Sequence, residues 1–372
     1  MRIAQVSPLY ERVPPKYYGG TERVVSYLTE ELVRQGHQVT LFASGDSATN
    51  ARLIPACKQA LRLSDRPADG LALHMTMVEQ VFKRSSEFDI IHFHIDYLHF
   101  PVSSRVSASS LTTLHGRLDV PGLESVHRAF PRMPVISISD AQRTPLPWLN
   151  WQRTVHHGLP RTSYSLRKKP GKYLAFLGRI SPEKRVDVAI EIARRAGMPI
   201  KIAAKVDAAD KNYYESNIRA LLKQSFVDYV GEIGENQKDE FLGNAYALLF
   251  PIDWPEPFGL VMIESIACGT PVIAFRRGSV SEVLDDGVTG FICDDIESAV
   301  RATTEIEGLS RIRCRSVFED RFSVERMARD YVAAYGRRQS KSAMEISTVD
   351  RPQSGTKVEV RTPSGSVRVG AD

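Results

Sequence analysis

Hydrophobic and polar positions form two successive series of strand-like and helix-like segments. The first series contains the strand patterns RIAQVSP, QVTLFAS, DIIHFHI, LTTLHG and PVISIS, and the helical patterns GGTERVVSYLTEELVRQG and LALHMTMVEQVFKRSSEF. The second series begins at KYLAFLGRI and continues through RVDVAIEIARRAG, PIKIAAKV, YYESNIRALLKQS, VDYVGEI, KDEFLGNA and YALLFPI. Short β-branched runs that alternate with helical periodicity predict parallel sheets covered by helices on both faces.

The two series predict an α/β protein with two doubly wound, Rossmann-like domains that face a central cleft. We place the first domain at residues 1–158 and the second at 159–322, with the break in the segment HHGLPRTSYSLRKKPG. A last helix is predicted over 323–337. Residues 338–372 are rich in Ser, Gly, Pro and charge and contain few large apolar residues. That composition predicts a disordered tail.

Composition narrows the class of protein. The chain has 372 residues, 42% hydrophobic and 25% charged, which is typical of a globular protein of about two domains. The net charge of +5 permits contact with phosphates or with an anionic membrane surface but demands neither, and no nucleic-acid partner is predicted. With no signal peptide or membrane span in the pattern, we expect a soluble cytoplasmic chain. Its four scattered cysteines are expected to be reduced thiols.

The loop after the first strand ends in Gly19 and Gly20, just before a predicted helix. Ligands of open α/β sheets bind outside the carboxyl ends of the strands, so this loop is a candidate site. Backbone amides at a glycine-opened helix start can donate to a phosphate, although a plain turn explains the glycines equally well. No GxGxxG follows the first strand, which argues against a nicotinamide-dependent oxidoreductase.

Arg179 and Lys184 lie in LGRISPEKRVD, after the first strand of the second series. Their spacing allows two cations to converge on one anion above the sheet. The alternative is a solvated basic loop.

The stretch WPEPFGLVMIESIACGTPVIA contains two glutamates beside an apolar run. The amides of Gly259, Leu260 and Val261 should begin a helix and could donate to a diphosphate. Glu256 precedes this helix in a proline-flanked loop. Glu264 lies inside the apolar run, where a carboxylate needs hydroxyl or cationic partners, and a ribose diol would supply them. The alternative is two ordinary helix-surface glutamates.

The segment IIHFHIDYLHF invites a metal interpretation through His92, His94, Asp96 and His99. His92 and His94 would share one face of a strand. A strand with polar side chains near the cleft explains the same residues, and we predict no metal site.

Taken together, EPFGLVMIE, GRISPEKR, GGTE and the LHG around His115 resemble the retaining family 4 glycosyltransferases of the GT-B fold. The opening segment resembles in particular the branch that includes a glycosyltransferase of avilamycin biosynthesis. The resemblance covers the chain to about residue 337. It implies that the last helix crosses back to the first domain. Two positions differ from the usual pattern: Arg185 stands where many relatives have glycine, and His157 precedes Gly158 where Asn-Gly is common.

The resemblance also implies roles for the candidate residues. Glu264 would hold the ribose hydroxyls of the nucleotide, and Glu256 would lie beside the donor sugar. Arg179 and Lys184 would neutralise the diphosphate. The amides of Gly259, Leu260 and Val261 and the loop of Gly19 and Gly20 would cap it, while His115 would approach the transferred sugar.

The implied function is a metal-independent, retaining transfer of a hexosyl group from a nucleoside-diphosphate sugar, used as co-substrate, with no further cofactor. The acceptor would be a small molecule, lipid or glycan, and a lipid acceptor would bring peripheral membrane contact. The alternative is a phosphorylase or an epimerase of the same fold.

Overall fold

The computed structural model describes residues 1–17, 19–62, 64 and 68–349, with the backbone alone over 340–349. The chain forms two parallel sheets of seven and six strands, each flanked by helices. The last helix, which follows the second sheet in sequence, packs on the first domain. This architecture confirms the predicted GT-B-like arrangement.

The first sheet has the strand order β3-β2-β1-β4-β5-β6-β7. In the register of its central pairs, Ile3 lies opposite both Val39 and Ile90. The order changes direction between β1 and β4, and such a switch point opens a crevice at the carboxyl ends of the strands. The strands are β1 (Arg2–Val6), β2 (Gln38–Ser44), β3 (Arg52–Cys57), β4 (Ile90–Phe93), β5 (Ser110–Thr113), β6 (Val135–Ser137) and β7 (Trp151–Thr154).

The second sheet repeats this plan with the order β10-β9-β8-β11-β12-β13. Its switch point lies between β8 and β11, so the loops after these two strands meet above the sheet. The strands are β8 (Leu174–Arg179), β9 (Ile200–Lys205), β10 (Val227–Gly231), β11 (Ala247–Phe250), β12 (Val272–Phe275) and β13 (Gly290–Cys293).

Helices cover both sheets. In the first domain they are α1 (Gly20–Arg34), α2 (Gly70–Lys83), α3 (Phe100–Ser103) and α4 (Leu123–Ala129). From the second sheet onward they are α5 (Val186–Ala196), α6 (Lys211–Tyr213), α7 (Glu235–Gly243), α8 (Leu260–Ala267), α9 (Val280–Val283), α10 (Ile296–Glu305), α11 (Arg311–Arg321) and α12 (Val324–Val349).

Helix α12 crosses back to the first domain, as the resemblance implied. Its fully buried Tyr331 and Tyr335 lie in one apolar cluster with Ile3 of β1 and with Leu28 and Leu32 of α1. Large aromatic side chains contribute much of the apolar area that a core buries. The core of the first domain is therefore completed by the C-terminal part of the chain.

Several elements differ from the predicted pattern. β3 carries Pro55 and lies at a sheet edge, the position where a strand tolerates a proline because no ladder hydrogen bond is lost on the open side. The predicted segment YYESNIRALLKQS is broken into α6, a π-helical turn and a 3₁₀ turn. Helix α12 continues past the predicted boundary at 337, so the predicted tail begins as helix, and its residues 350–372 lie outside the described part of the chain.

The four cysteines are not joined in disulfides in the structure: Cys268, Cys293 and Cys314 are buried and Cys57 is partly exposed. Among the described residues, no helix combines the length and the apolar character that crossing a membrane requires.

Candidate active site

A cavity of about 590 Å³ lies between the two domains, at the carboxyl ends of the strands. The loops after β1, β5, β8 and β11 form much of its wall; β1, β8 and β11 lie beside the two switch points, and β5 is the neighbour of β4. All ten predicted site residues line it: Gly19, Gly20, His115, Arg179, Lys184, Glu256, Gly259, Leu260, Val261 and Glu264. Residues far apart in sequence thus meet at one site because both sheets direct their loops to the same cleft.

Lys184 and Glu256 form a close ion pair at the second-domain wall. The Lys184 Nζ lies 2.5 Å from the Glu256 Oε2, and the same oxygen accepts a hydrogen bond of 2.8 Å from the indole nitrogen of Trp254. The ammonium also lies 4.5 Å from the centroid of the Trp254 ring, within the range of a cation–π contact. The Glu256 carboxylate is therefore held by two donors and points at the cavity.

Helix α8 begins at the cavity. Gly259 precedes it with φ 78°, in the left-handed region that favours glycine, and a methyl group there would lie 2.7 Å from the Met262 Cε. The first amides of the helix, at Leu260 and Val261, have no acceptor within the helix and line the cavity. Gly278 supports the preceding loop, since a side chain there would lie 2.4 Å from the backbone nitrogen of Glu256.

Glu264 has a cationic partner that the sequence analysis did not identify. Its Oε1 accepts a hydrogen bond of 2.7 Å from the Lys238 Nζ, and the glutamate is only 2% exposed. Lys238 also lies 3.1 Å from Glu235, which is contacted at 2.8 Å by Arg23 of α1. Burial acts to raise the pKa of Glu235, but the neighbouring Lys238 and Arg23 cations outweigh it and lower the pKa. This chain of charges links the two domains.

Arg179 lies among carboxylates. Its guanidinium contacts Glu183, lies 3.7 Å from an oxygen of Asp207 and 3.4 Å from one of Asp210. Lys184, in contrast, points to Glu256. The two predicted phosphate ligands thus share the cavity wall, but each is held by its own acidic partners.

His115 belongs to a buried network of hydrogen-bonded histidines. Its Nε2 lies 2.8 Å from the His94 Nδ1, and its ring stacks on that of His157 with centroids 5.4 Å apart. Burial lowers the pKa of His115 to about 3, so the ring is neutral at physiological pH.

The metal interpretation of IIHFHIDYLHF finds no support. Both ring nitrogens of His92, His94 and His99 lie within hydrogen-bond distance of side chains such as Thr113, Gln5 and Ser103. No group of three or more His, Cys, Asp or Glu side chains in the described part of the chain is arranged to hold a metal ion.

The Gly19 and Gly20 loop brings the first domain against the second. A methyl group on Gly20 would lie 3.6 Å from the Leu260 Cδ1, so the loop faces the start of α8 across the cleft. Glu22, in the first turn of α1, also lines the cavity, and burial raises its pKa to about 7.

Two family models match consecutive parts of the chain. "Glycosyltransferase Family 4" matches residues 18–157 and "Glycosyl transferases group 1" matches residues 163–312. The two matches meet where the first sheet ends and the second begins. The chain belongs to the family 4 glycosyltransferases. The predicted family and enzyme class are confirmed.

Relatives and solved structures agree with this family. Glycogen synthase of Mycobacterium tuberculosis is 24% identical over 88% of this chain and 89% of its own length. Phosphatidyl-myo-inositol mannosyltransferase of Propionibacterium freudenreichii is 23% identical over 84% of this chain and 87% of its own. In fold, this glycosyltransferase resembles AviGT4 of avilamycin A biosynthesis (TM-score 0.68, 23% identity, 92% and 98% coverage). It also resembles HepE of Anabaena in complex with UDP (TM-score 0.70, 17% identity, 91% and 100% coverage).

Many residues of the cavity wall were not predicted from the sequence, among them Glu22, Lys238 and Trp254. A buried Glu264 needs a cation, and this requirement was the signal that could have directed attention to a lysine in a neighbouring helix. Nothing in ENQKDEF distinguishes Lys238 from an ordinary lysine on a helix surface, so the fold was needed to identify it.

Proposed function

We propose that this glycosyltransferase moves a sugar from a nucleoside-diphosphate sugar to an acceptor hydroxyl with retention of the anomeric configuration and without a metal ion. One observation carries the proposal: the pairs Lys184–Glu256 and Lys238–Glu264 flank the start of α8 and face one cavity. This arrangement offers separate charged groups to a diphosphate, a ribose and a sugar.

The diphosphate would lie at the start of α8. When the bond to the anomeric carbon breaks, negative charge grows on the leaving phosphate oxygens, and fixed donors stabilise that charge. Lys184, Arg179 and the amides of Leu260 and Val261 supply donors from the cavity wall. They provide the electrostatic stabilisation that a divalent cation would otherwise give, which supports a metal-independent reaction without a further cofactor.

The ribose would lie against Glu264. A buried carboxylate accepts hydrogen bonds from two adjacent hydroxyls, and its affinity for them is greater because it is charged. Lys238 donates a hydrogen bond of 2.7 Å to this carboxylate and so orients it. Lys238 therefore acts as a positioning residue for the ribose site.

The transferred sugar would lie between Glu256 and His115, which approach the cavity from the two domains. Glu256 is already bound to Lys184 and Trp254, so it suits a hydrogen-bond acceptor for sugar hydroxyls better than a free nucleophile. We propose that the acceptor attacks from the face at which the phosphate departs, and that the leaving phosphate takes the acceptor proton. That course retains configuration.

The names of the relatives support the donor class. HepE has been solved with UDP and with UDP-glucose. The relatives named above include a glycogen synthase and a phosphatidyl-myo-inositol mannosyltransferase, so acceptors in this family range from glycans to lipids. For this chain we propose a nucleoside-diphosphate sugar donor and a glycan, lipid or small-molecule acceptor.

The test is a panel of UDP-, GDP- and ADP-sugars, incubated with the enzyme with and without EDTA, followed by detection of released nucleoside diphosphate. With the best donor and a simple glycoside acceptor, NMR of the product should show the anomeric configuration of the donor, and EDTA should leave the rate unchanged. An inverted product or loss of activity in EDTA would contradict the corresponding part of the proposal.

A second arm separates transfer from the alternative reactions of the fold. Inorganic phosphate should not be required and should not become glycosylated. A sugar phosphate formed only when inorganic phosphate is present would identify a phosphorylase, and isomerised donor without transfer would identify an epimerase.

A further inference from the structure

A single chain of hydrogen bonds runs from His115 at the cavity to the last helix. His115 Nε2 lies 2.8 Å from His94 Nδ1, and His94 Nε2 lies 2.8 Å from the Gln5 Oε1. The Gln5 Nε2 donates a hydrogen bond of 3.1 Å to the hydroxyl of Tyr335 on α12. The chain continues from Tyr335 to His92, at 2.8 Å. Gln5 is fully buried, so bulk water does not substitute for these partners.

The histidines that take part in this series of hydrogen bonds are neutral. Burial lowers the pKa of His94 well below its ordinary value, as it does for His92, and it lowers that of His115 to about 3. A neutral imidazole has one donor nitrogen and one acceptor nitrogen, so each link fixes the next.

The Gln5 amide therefore sets the direction of the chain. A carbonyl oxygen only accepts, so the His94 Nε2 must donate to the Gln5 Oε1, and the His94 Nδ1 must then be an acceptor. It follows that the His115 Nε2 carries the proton and donates to His94. The His115 Nδ1 is left as a lone-pair acceptor.

The His115 Nδ1 is buried and has no hydrogen-bond partner among the residues that the structure describes. A buried acceptor without a partner is costly, which indicates that a ligand supplies one. We infer that Gln5, His94 and Tyr335 are positioning residues that fix His115 as a hydrogen-bond acceptor, through Nδ1, for a hydroxyl of the bound substrate.

This inference rests on the proposed function for its ligand but not for its direct test. Reversing the Gln5 amide would reverse every link: Gln5 would donate to His94, and His115 would present an Nδ1–H donor instead. The two arrangements differ in which nitrogen of His115 is protonated, and that difference is measured without substrate.

The experiment is ¹⁵N NMR of the full-length protein labelled at histidine, with the His115 signals assigned by their loss in His115→Gln. The nitrogen shifts and couplings of neutral His115 should show the proton on Nε2. A proton on Nδ1, or rapid averaging between the two nitrogens, would overturn the inference. A Tyr335→Phe variant should lose this fixed tautomer, because Gln5 then has no partner to orient it.

Tyr331→Phe is the matched control. Tyr331 lies one helical turn before Tyr335 on the same helix and contacts Thr113 rather than Gln5, so its removal should leave the His115 tautomer unchanged. Gln5→Glu supplies an acceptor-only side chain to His94 and should preserve the Nε2–H form. If Tyr335→Phe folds and its His115 spectrum matches that of the unsubstituted protein, the proposed series of hydrogen bonds does not fix the His115 tautomer.

Kinetics provide the second readout. Loss of one oriented hydrogen bond should lower kcat of Tyr335→Phe by about three- to tenfold with little change in donor KM. Tyr331→Phe should retain kcat, and Gln5→Glu should retain more of it than Gln5→Leu. An equal loss of kcat in Tyr335→Phe and Tyr331→Phe would contradict the inference. A His115 tautomer other than Nε2–H refutes only the proposed direction of the hydrogen bonds. Absence of any transfer by the unsubstituted protein refutes only the proposed function.

Discussion

Two parts of the cleft wall use different chemistry: the His115 cluster of the first domain, called the neutral wall below, and the start of α8 in the second domain, called the charged wall. On the first-domain wall, His115 is held by neutral hydrogen bonds to His94 and through it to Gln5. On the second-domain wall, Lys184 and Lys238 are each paired with a buried glutamate. Neutral dipoles orient hydroxyl groups, whereas full charges stabilise phosphate oxygens, so the difference matches the sugar end and the diphosphate end of the proposed donor.

The lysines and glutamates of the charged wall are paired with one another. Lys184 lies at Glu256 and Lys238 at Glu264, so these two lysines and two glutamates carry no net charge together. Burying an ion without a partner costs free energy, and in these pairs each buried group has a partner of opposite charge. In the proposed reaction, a donor diphosphate would bind by adding to or replacing these existing partners.

The largest effect is expected on the free energy of unfolding when the pH is lowered, because the neutral wall contains buried histidines. The folded protein keeps its buried histidines unprotonated, while the unfolded chain protonates them below about pH 6.5. The unfolded state then binds more protons, so the free energy of unfolding must fall as the pH falls below that value. Burial lowers the pKa of eight histidines, and the five with the largest shifts are His92, His94, His99, His115 and His157.

Two carboxylates act in the opposite direction. Partial loss of hydration raises the pKa of Glu22 to about 7 and that of Asp96 to about 6, so both groups bind protons more readily in the folded state. Where the folded and unfolded states differ by a full proton, each group changes stability by about 1.4 kcal/mol per pH unit, so the five histidines outweigh the two acids by about 4 kcal/mol per unit. Urea unfolding between pH 7 and 5 measures this slope. Stability that rises on acidification would contradict neutral histidines.

The second prediction concerns removal of the cations from the charged wall. Lys184→Ala leaves Glu256 without its cation and should lower kcat/KM by about a hundredfold, equivalent to about 3 kcal/mol. Arg179→Ala should lower turnover at least about tenfold, because its loss removes one donor to the leaving phosphate. Lys201→Ala is the control, since that lysine on β9 contacts Asp228 and does not line the cavity. Near-normal turnover in both cavity variants would rule out their phosphate role.

The third prediction distinguishes the roles of the two glutamates in the charged wall. Glu264→Gln loses the charged acceptor for ribose and should weaken both donor and free nucleoside diphosphate by roughly 1 to 3 kcal/mol. Glu256→Gln should bind free nucleoside diphosphate almost normally but turn over more slowly, because its partner is the sugar. Isothermal titration beside turnover assays measures both. Equal weakening of the free diphosphate by the two variants would show that the division is wrong.

The smallest effect is expected at the edge of the charged wall. Arg185 has φ 53°, in the left-handed region that favours glycine, which is the residue that the resemblance implies at this position. Arg185→Gly relieves that strain but loses the ion pair with Asp187 and makes the unfolded chain more flexible. We expect a change in unfolding free energy within about 1 kcal/mol and little change in turnover. A loss of several kcal/mol would show that the Arg185 side chain is structurally essential.

Sequence patterns predicted the two sheets and nine of the ten cavity residues because hydrophobic periodicity and loop position follow from local rules, whereas His115 was predicted through the family resemblance. They did not predict the partners of those residues. The carboxylates around Arg179 come from the loop after β9 as well as from its own loop, and the cation at Glu264 comes from α7. Such contacts depend on how separate elements pack, which periodicity does not encode. The broken helix after β9 was missed for a similar reason, since its apolar spacing alone reads as continuous.

The returning helix α12 has a consequence for building chimeric enzymes. Sequence order assigns it to the second half of the chain, yet Tyr331 and Tyr335 complete the core of the first half. An exchange of halves at residue 158 between two family members would therefore combine one parent's first sheet with the other parent's tyrosines. A chimera that keeps this core intact needs two junctions, one near residue 158 and one near Ser323, so that α12 and the first sheet come from the same parent.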